Sequence, residues 1–194
     1  MLEIHNQILS ILFASRDPVS IAELQEVFPE REATEIREAM EVLREDFNQM
    51  QAAVELRQVA GGFRITTLPE HHETIREYLK NKPSAKLTMA ALETLAVVAY
   101  KQPITIPEIS EIRGVKGSST IKTLLEKKLI ETRGRKKTAG RPMQYATTRE
   151  FLIHFGLNDL SELPTLKELE EILSQDDDES LEPPEEDQDI DDAS

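Results

Sequence analysis

The chain has 194 residues and a net charge of −14, from 23 Lys and Arg against 37 Asp and Glu, and it contains neither Cys nor Trp. That length holds one ordinary domain or two small ones, and the absence of thiols excludes disulfides, thiol catalysis and cysteine-bound metal clusters. Eleven acidic residues and no basic ones fall between Gln175 and Ser194, so residues 1–174 carry only −3 and the excess charge describes a tail.

Ile4, Ile8, Ile11 and Leu12 share one helical face, joined by Leu9 and Phe13. The opening Met-Leu-Glu-Ile-His has no basic signal-peptide region, and no run reaches the roughly 18 apolar residues of a membrane span, so a soluble cytoplasmic chain is expected. Arg16-Asp17-Pro18 stops the first helix. Ser20 caps a short second one, with Glu23 in capping-box position. A third runs from Arg31 to Met50, with Ile36, Met40, Leu43, Phe47 and Met50 at spacings of four and three. Val54 and Leu56, the turn Gly61-Gly62, and Phe63, Ile65 and Thr67 then alternate as a β-hairpin. Three helices and a hairpin make a winged helix-turn-helix.

Glu70 to Asn81 reads as a polar helix with Ile75, Tyr78 and Leu79 as its apolar contacts, and Lys82-Pro83-Ser84-Ala85 as the joint. The order then repeats. Leu92, Leu95, Val98 and Ala99 form a stripe ending before Pro103. Thr105 caps Ile106, Ile109 and Ile112, with Glu108 three residues on, and Gly114 stops that helix. Ser118 or Ser119 opens a third helix with Ile121, Leu124 and Leu125. Leu129-Ile130 and Met143 to Thr147 flank a basic wing. Pro18-Val19-Ser20-Ile21 matches Pro103-Ile104-Thr105-Ile106 at an offset of 85 residues, which together with the shared order argues for two copies of one fold. Leu157, Leu160 and Leu163 are expected to pack back on the second copy. Leu166, Leu169, Ile172 and Leu173 suggest one more helix before a disordered acidic tail. The fold class is mainly α: two tandem winged helix-turn-helix domains, 1–82 and 85–165, followed by 166–194.

Catalytic chemistry is not supported. The four His are His5, His71, His72 and His154. Adjacent His71 and His72 diverge by about 100° on a helix and cannot share a metal as an i, i+4 pair can. Gly114-Val115-Lys116-Gly117-Ser118-Ser119 lacks the order of a phosphate loop. No catalytic residue, metal ligand or cofactor is therefore assigned. DNA reading by the first unit is opposed by charge, since residues 31–50 carry six acidic against three basic groups. The second unit differs, with ten basic and two acidic residues from Arg113 to Pro142. Arg133, Arg135, Lys136 and Lys137 on its wing are candidates for nonspecific phosphate contact. Its reading helix opens with Ser118-Ser119-Thr120, without the Arg, Asn or Gln that pair with base edges. A winged-helix DNA-binding regulator is accordingly the alternative to a protein-binding module. The stripe Ile36, Met40, Leu43 and Phe47 is the candidate contact with a second protomer, on a helix longer than a unit of this size covers.

Ala91 to Thr105, Glu108 to Val115 and Gly140 to Thr148 closely resemble the bacterial segregation and condensation protein B family. So do Phe151-Leu152, Phe155-Gly156-Leu157 and Leu160 to Pro164, so that the match spans roughly residues 85–165. The resemblance implies a non-enzymatic subunit of a bacterial condensin-like complex in chromosome condensation and partition, nucleoid-associated in the cytoplasm. Family members dimerise largely through the first winged helix. The second binds a kleisin, segregation and condensation protein A, which contacts the heads of a structural-maintenance-of-chromosomes ATPase. DNA association is expected through the complex. Tyr100, Gln102, Arg113 and Arg141 are the polar residues expected to face the partner.

Overall fold

Apolar side chains at spacings of three and four build the first helix, α1 (Leu2–Ala14), and bury Ile8 and Leu12. The computed structural model of the chain describes residues 2–50, 53–79, 87–115, 118–165 and 167–168. Helix α2 (Ile21–Val27) opens on the expected capping box: the Glu23 amide donates to Ser20 Oγ at 3.2 Å and the Ser20 amide to Glu23 Oε2 at 2.7 Å. Together with the Ser20 hydroxyl, that amide holds the Glu23 carboxyl below its ordinary pKa. Helix α3 (Ala33–Gln49) follows. Strands β1 (Val54–Val59) and β2 (Gly62–Thr67) pair antiparallel, from Val54 opposite Thr67 to Val59 opposite Gly62. Ala60 and Gly61 turn between them with φ of 51° and 75°, the two positive values that a tight hairpin turn requires. Ile8, Leu12, Leu24, Ile36, Met40, Leu43, Leu56 and Phe63 close one aliphatic core beneath these elements. Each such side chain, fully buried, contributes about 1.5–3 kcal/mol.

A single 3-10 turn (Pro69–His71) leads into α4 (His72–Leu79). Of the three apolar contacts expected there, Ile75 is half-buried, whereas Tyr78 and Leu79 face solvent. The second winged helix repeats the plan with α5 (Met89–Lys101), α6 (Ile106–Arg113) and α7 (Ser118–Glu126). Strands β3 (Ile104–Thr105), β4 (Ile130–Arg135) and β5 (Met143–Thr147) form an antiparallel sheet in the order β3-β5-β4. Gly114 ends α6 at φ 68°, as its position predicts. Leu95, Val98, Ile109, Ile121, Leu124, Ile130 and Phe151 are buried, while Leu92 and Ile112, expected on the inner faces, are exposed. The duplication is visible in the pairing. Val19 bridges Phe63 of β2, and its counterpart Ile104 pairs with Tyr145 of β5.

Helix α8 (Arg149–Phe155) follows β5, and residues 1–160 form one compact unit holding both winged helices. Leu157, expected to pack back on the second copy, also reaches the first: its carbonyl accepts from the Ala60 amide at 2.9 Å. Asn158 Oδ1 accepts from the Gly61 amide at 3.0 Å. Residues 161–194 form a second unit, in which Thr165 and Glu168 exchange capping hydrogen bonds of 2.6 and 3.3 Å. The proposed joint Lys82 to Ala85, the stripe Leu166, Leu169, Ile172 and Leu173, and the acidic tail lie outside the described residues. No helix among the described residues is long and apolar enough to cross a membrane.

Candidate partner-binding site

The polar residues singled out in the second winged helix divide into two kinds. Gln102, at the end of α5, bridges helix and sheet: its Oε1 accepts from the Thr147 amide at 2.7 Å and from the Thr147 hydroxyl at 3.0 Å. Its Nε2 donates to the Ala99 carbonyl at 3.2 Å. Arg113, at the end of α6, has only 8% of its side chain exposed and pairs with Glu93 at 2.6 Å. It also donates to Thr94 Oγ1 at 2.7 Å, and its Nε is buried without a partner. Both residues were expected to face a partner. In the chain by itself their polar groups are engaged internally, where Gln102 ties α5 to β5 and Arg113 ties α6 to α5. Tyr100 is half-buried on α5, and Arg141 is exposed at the wing tip, its carbonyl accepting from Arg135.

Beside the Arg113–Glu93 pair, α5 exposes Met89 and Leu92, α6 exposes Ile112, and Val115 stands just past Gly114. Exposed apolar side chains next in sequence to a paired Arg and Glu are groups that a partner helix or extended segment can use. Periodicity alone assigned Leu92 and Ile112 inward, so the surface escaped it. The clue lay in α5 itself, whose apolar residues run almost all round the helix.

The basic wing is less available to phosphate than its charge count implies. Arg133 pairs with Glu131 at 2.9 Å, Arg135 donates to the Arg141 carbonyl at 3.0 Å, and Lys136 is paired with Glu108. Lys137 is exposed. The Lys136 ammonium, with the Thr105 hydroxyl and amide, holds the Glu108 carboxyl down at about 2. Exposed side chains on α7 are Ser119, Lys122, Thr123 and Glu126, and Lys122 lies 3.8 Å from Glu126. Among its described side chains, the helix that would read bases offers one basic group, Lys122, and no Arg, Asn or Gln.

In the first winged helix, Ile36, Met40 and Leu43 belong to the chain's own core, and Phe47 packs half-buried against it. Within the chain, β1, α1 and α2 cover that side of α3. Among the described residues, no group of three or more His, Asp or Glu is arranged to hold a metal ion. The fold and surfaces together define a tandem winged-helix protein whose largest exposed apolar groups lie on helix faces.

Comparison with known proteins makes the class specific. Residues 6–166 match the family described as segregation and condensation complex subunit ScpB. Segregation and condensation protein B of Alkaliphilus metalliredigens is 41% identical over 162 residues, covering 84% of this chain and 85% of the relative. The crystal structure of ScpB from Mycobacterium tuberculosis is 30% identical, with a TM-score of 0.38, covering 80% of this chain and 96% of that one. A dimer of an ScpB N-terminal domain complexed with an ScpA peptide is 22% identical, with a TM-score of 0.36, covering 39% of this chain and 94% of that one. The chain belongs to the ScpB family of segregation and condensation complex subunits.

Proposed function

We propose that the chain is a non-catalytic adaptor of a condensin-type complex acting on the chromosome in the cytoplasm. It pairs with a second copy through the first winged helix. The second winged helix grips the kleisin ScpA, which contacts the heads of the structural-maintenance-of-chromosomes ATPase. DNA is met through that complex, not read by this chain.

One observation carries the reading beyond family membership: the exposed apolar set Met89, Leu92, Ile112 and Val115 around the Arg113–Glu93 pair. Exposed apolar side chains beside a paired arginine suit a polypeptide ligand, which would desolvate them, and give nothing to a phosphate backbone. Three of the four wing residues proposed for DNA contact have partners within the chain, which supports the same choice.

The test is co-elution of the full chain with ScpA on a sizing column. Joint replacement Leu92→Glu and Ile112→Glu should weaken the complex about 10-fold or more while the melting temperature stays near that of the parent. A parent chain that ignores ScpA but binds duplex DNA, with affinity falling steeply between low and physiological salt, overturns the adaptor reading in favour of a DNA-binding regulator.

A further inference from the structure

Two arginines stand opposite each other in the first hairpin. Arg57 of β1 and Arg64 of β2 are direct partners in the register, which sets their Cβ atoms about 5 Å apart on one face of the ribbon. The next pair, Leu56 and Ile65, points the other way and joins the core, so the arginines lie on the outer face. Like charges directly opposite destabilise a strand pair. Arg57 has Glu55, on the same face, at 3.8 Å. Arg64 is half-buried and has no hydrogen bond or ion pair among the described residues. Thr66, next along the same face of β2, keeps its Oγ1 buried without a partner. Two donors on one face are thus unmet, and one of them stands against a like charge.

The edge beside this face is closed. Asn48, near the end of α3, accepts from the Leu56 amide at 2.7 Å and donates to the Leu56 carbonyl at 3.2 Å. An incoming segment therefore cannot add there as a further strand and must be held by side chains. A duplex suits the place poorly. Helix α3 packs on β1, and residues 31–50 carry six acidic against three basic groups, so a phosphate backbone laid along the hairpin meets repulsion from its neighbour. A single carboxylate asks only for a pair of guanidiniums, which accept its two oxygens with good geometry.

We infer that the outer face of the first hairpin holds an acidic segment of a partner polypeptide: an Asp or Glu carboxylate of that segment bridges the Arg57 and Arg64 guanidiniums and relieves their repulsion. Such capture requires neither pairing of two copies nor the apolar set of the second winged helix.

The probe is a short fluorescein-labelled peptide of alternating Glu and Ser, titrated into the full chain and followed by anisotropy. Saturable binding is expected. Arg64→Thr should weaken it about 10-fold or more, the worth of one charge-assisted hydrogen bond. The melting temperature of Arg64→Thr should equal or exceed that of the parent, because the opposed charges are gone. Joint replacement Lys137→Thr and Arg141→Thr, on the second wing, should leave the affinity unchanged. Absence of saturable binding overturns the inference, as does binding that survives Arg64→Thr and falls with the second-wing variant. A lowered melting temperature in Arg64→Thr makes the arginine a support of the fold and overturns it too. Duplex DNA that binds the parent more tightly than the peptide, and loses that binding on Arg64→Thr, assigns the face to nucleic acid instead.

Discussion

Arg149, at the start of α8, donates from its guanidinium to the carbonyl oxygen of Pro18 at 3.0 Å, across 131 residues of sequence. A second, longer bond at 3.4 Å reaches the Ala60 carbonyl. One side chain of the second winged helix thus ties together two turns of the first: the stop after α1 and the tip of the hairpin. Arg149→Ala should lower stability by about 1 kcal/mol, below the range for buried charged hydrogen bonds because the residue is largely exposed. Faster amide exchange at Ala60 and Gly61 is the local signature to measure. Unchanged exchange there would mean that the neighbouring bonds to Leu157 and Asn158 hold the tip by themselves.

Gly62 makes the same region sensitive to a single methyl group. A Cβ at this position would lie 2.9 Å from the Pro18 carbonyl carbon and 3.0 Å from the Val19 carbonyl carbon, both backbone atoms. Gly62→Ala should therefore push Val19 from its bridge with Phe63 and cost about 1–3 kcal/mol by chemical denaturation. Gly61→Asn, one residue earlier, should be near neutral, since nothing lies within 4 Å of that site and Asn tolerates its positive φ.

Gln102 is a scaffold residue with a measurable cost. Gln102→Ala leaves the Thr147 amide and hydroxyl without their acceptor, in a residue only 7% exposed. A loss of about 1–3 kcal/mol in urea unfolding is expected. Retention of full stability with lost ScpA binding would return Gln102 to the partner surface.

Acid titration isolates the base of the wing. Bound by Lys136 and Thr105, the Glu108 carboxyl is lowered from 4.5 to about 2 in the folded chain. On acidification the unfolded state takes up this proton first. The stabilisation from Glu108 is therefore complete above about 4.5 and is lost as pH falls towards about 2. Melting temperatures of Glu108→Gln should decline less steeply across that window than those of the parent. Parallel curves would show that the Lys136 pairing is absent in solution.

Local signals carried most of the architecture. Spacings of three and four located the core residues Ile8, Leu12, Ile36, Met40 and Leu43. The Gly61-Gly62 pair located the first hairpin, and both capping boxes lay within four residues of sequence. The repeat of Pro18 to Ile21 at Pro103 to Ile106 reappears as matched bridges from Val19 and Ile104 to the returning strands. Surfaces were harder. Helix α5 is apolar almost all round, so periodicity gives no reason to send Leu95 inward and Leu92 outward. Only packing decides. Gln102 and Arg113 read as free polar groups because their acceptors lie far away in sequence: Thr147 is 45 residues on and Glu93 is 20 residues back. A short window shows the side chain and hides what satisfies it.

The tip of the first hairpin has one more consequence. In a solitary winged helix that tip projects as a free arm, whereas here its Ala60 and Gly61 amides are seated in the opposite half of the same polypeptide. A tug on the far half is thus delivered to the near one through several short polar ties at once. The two winged helices are thereby restrained against independent rotation about this contact.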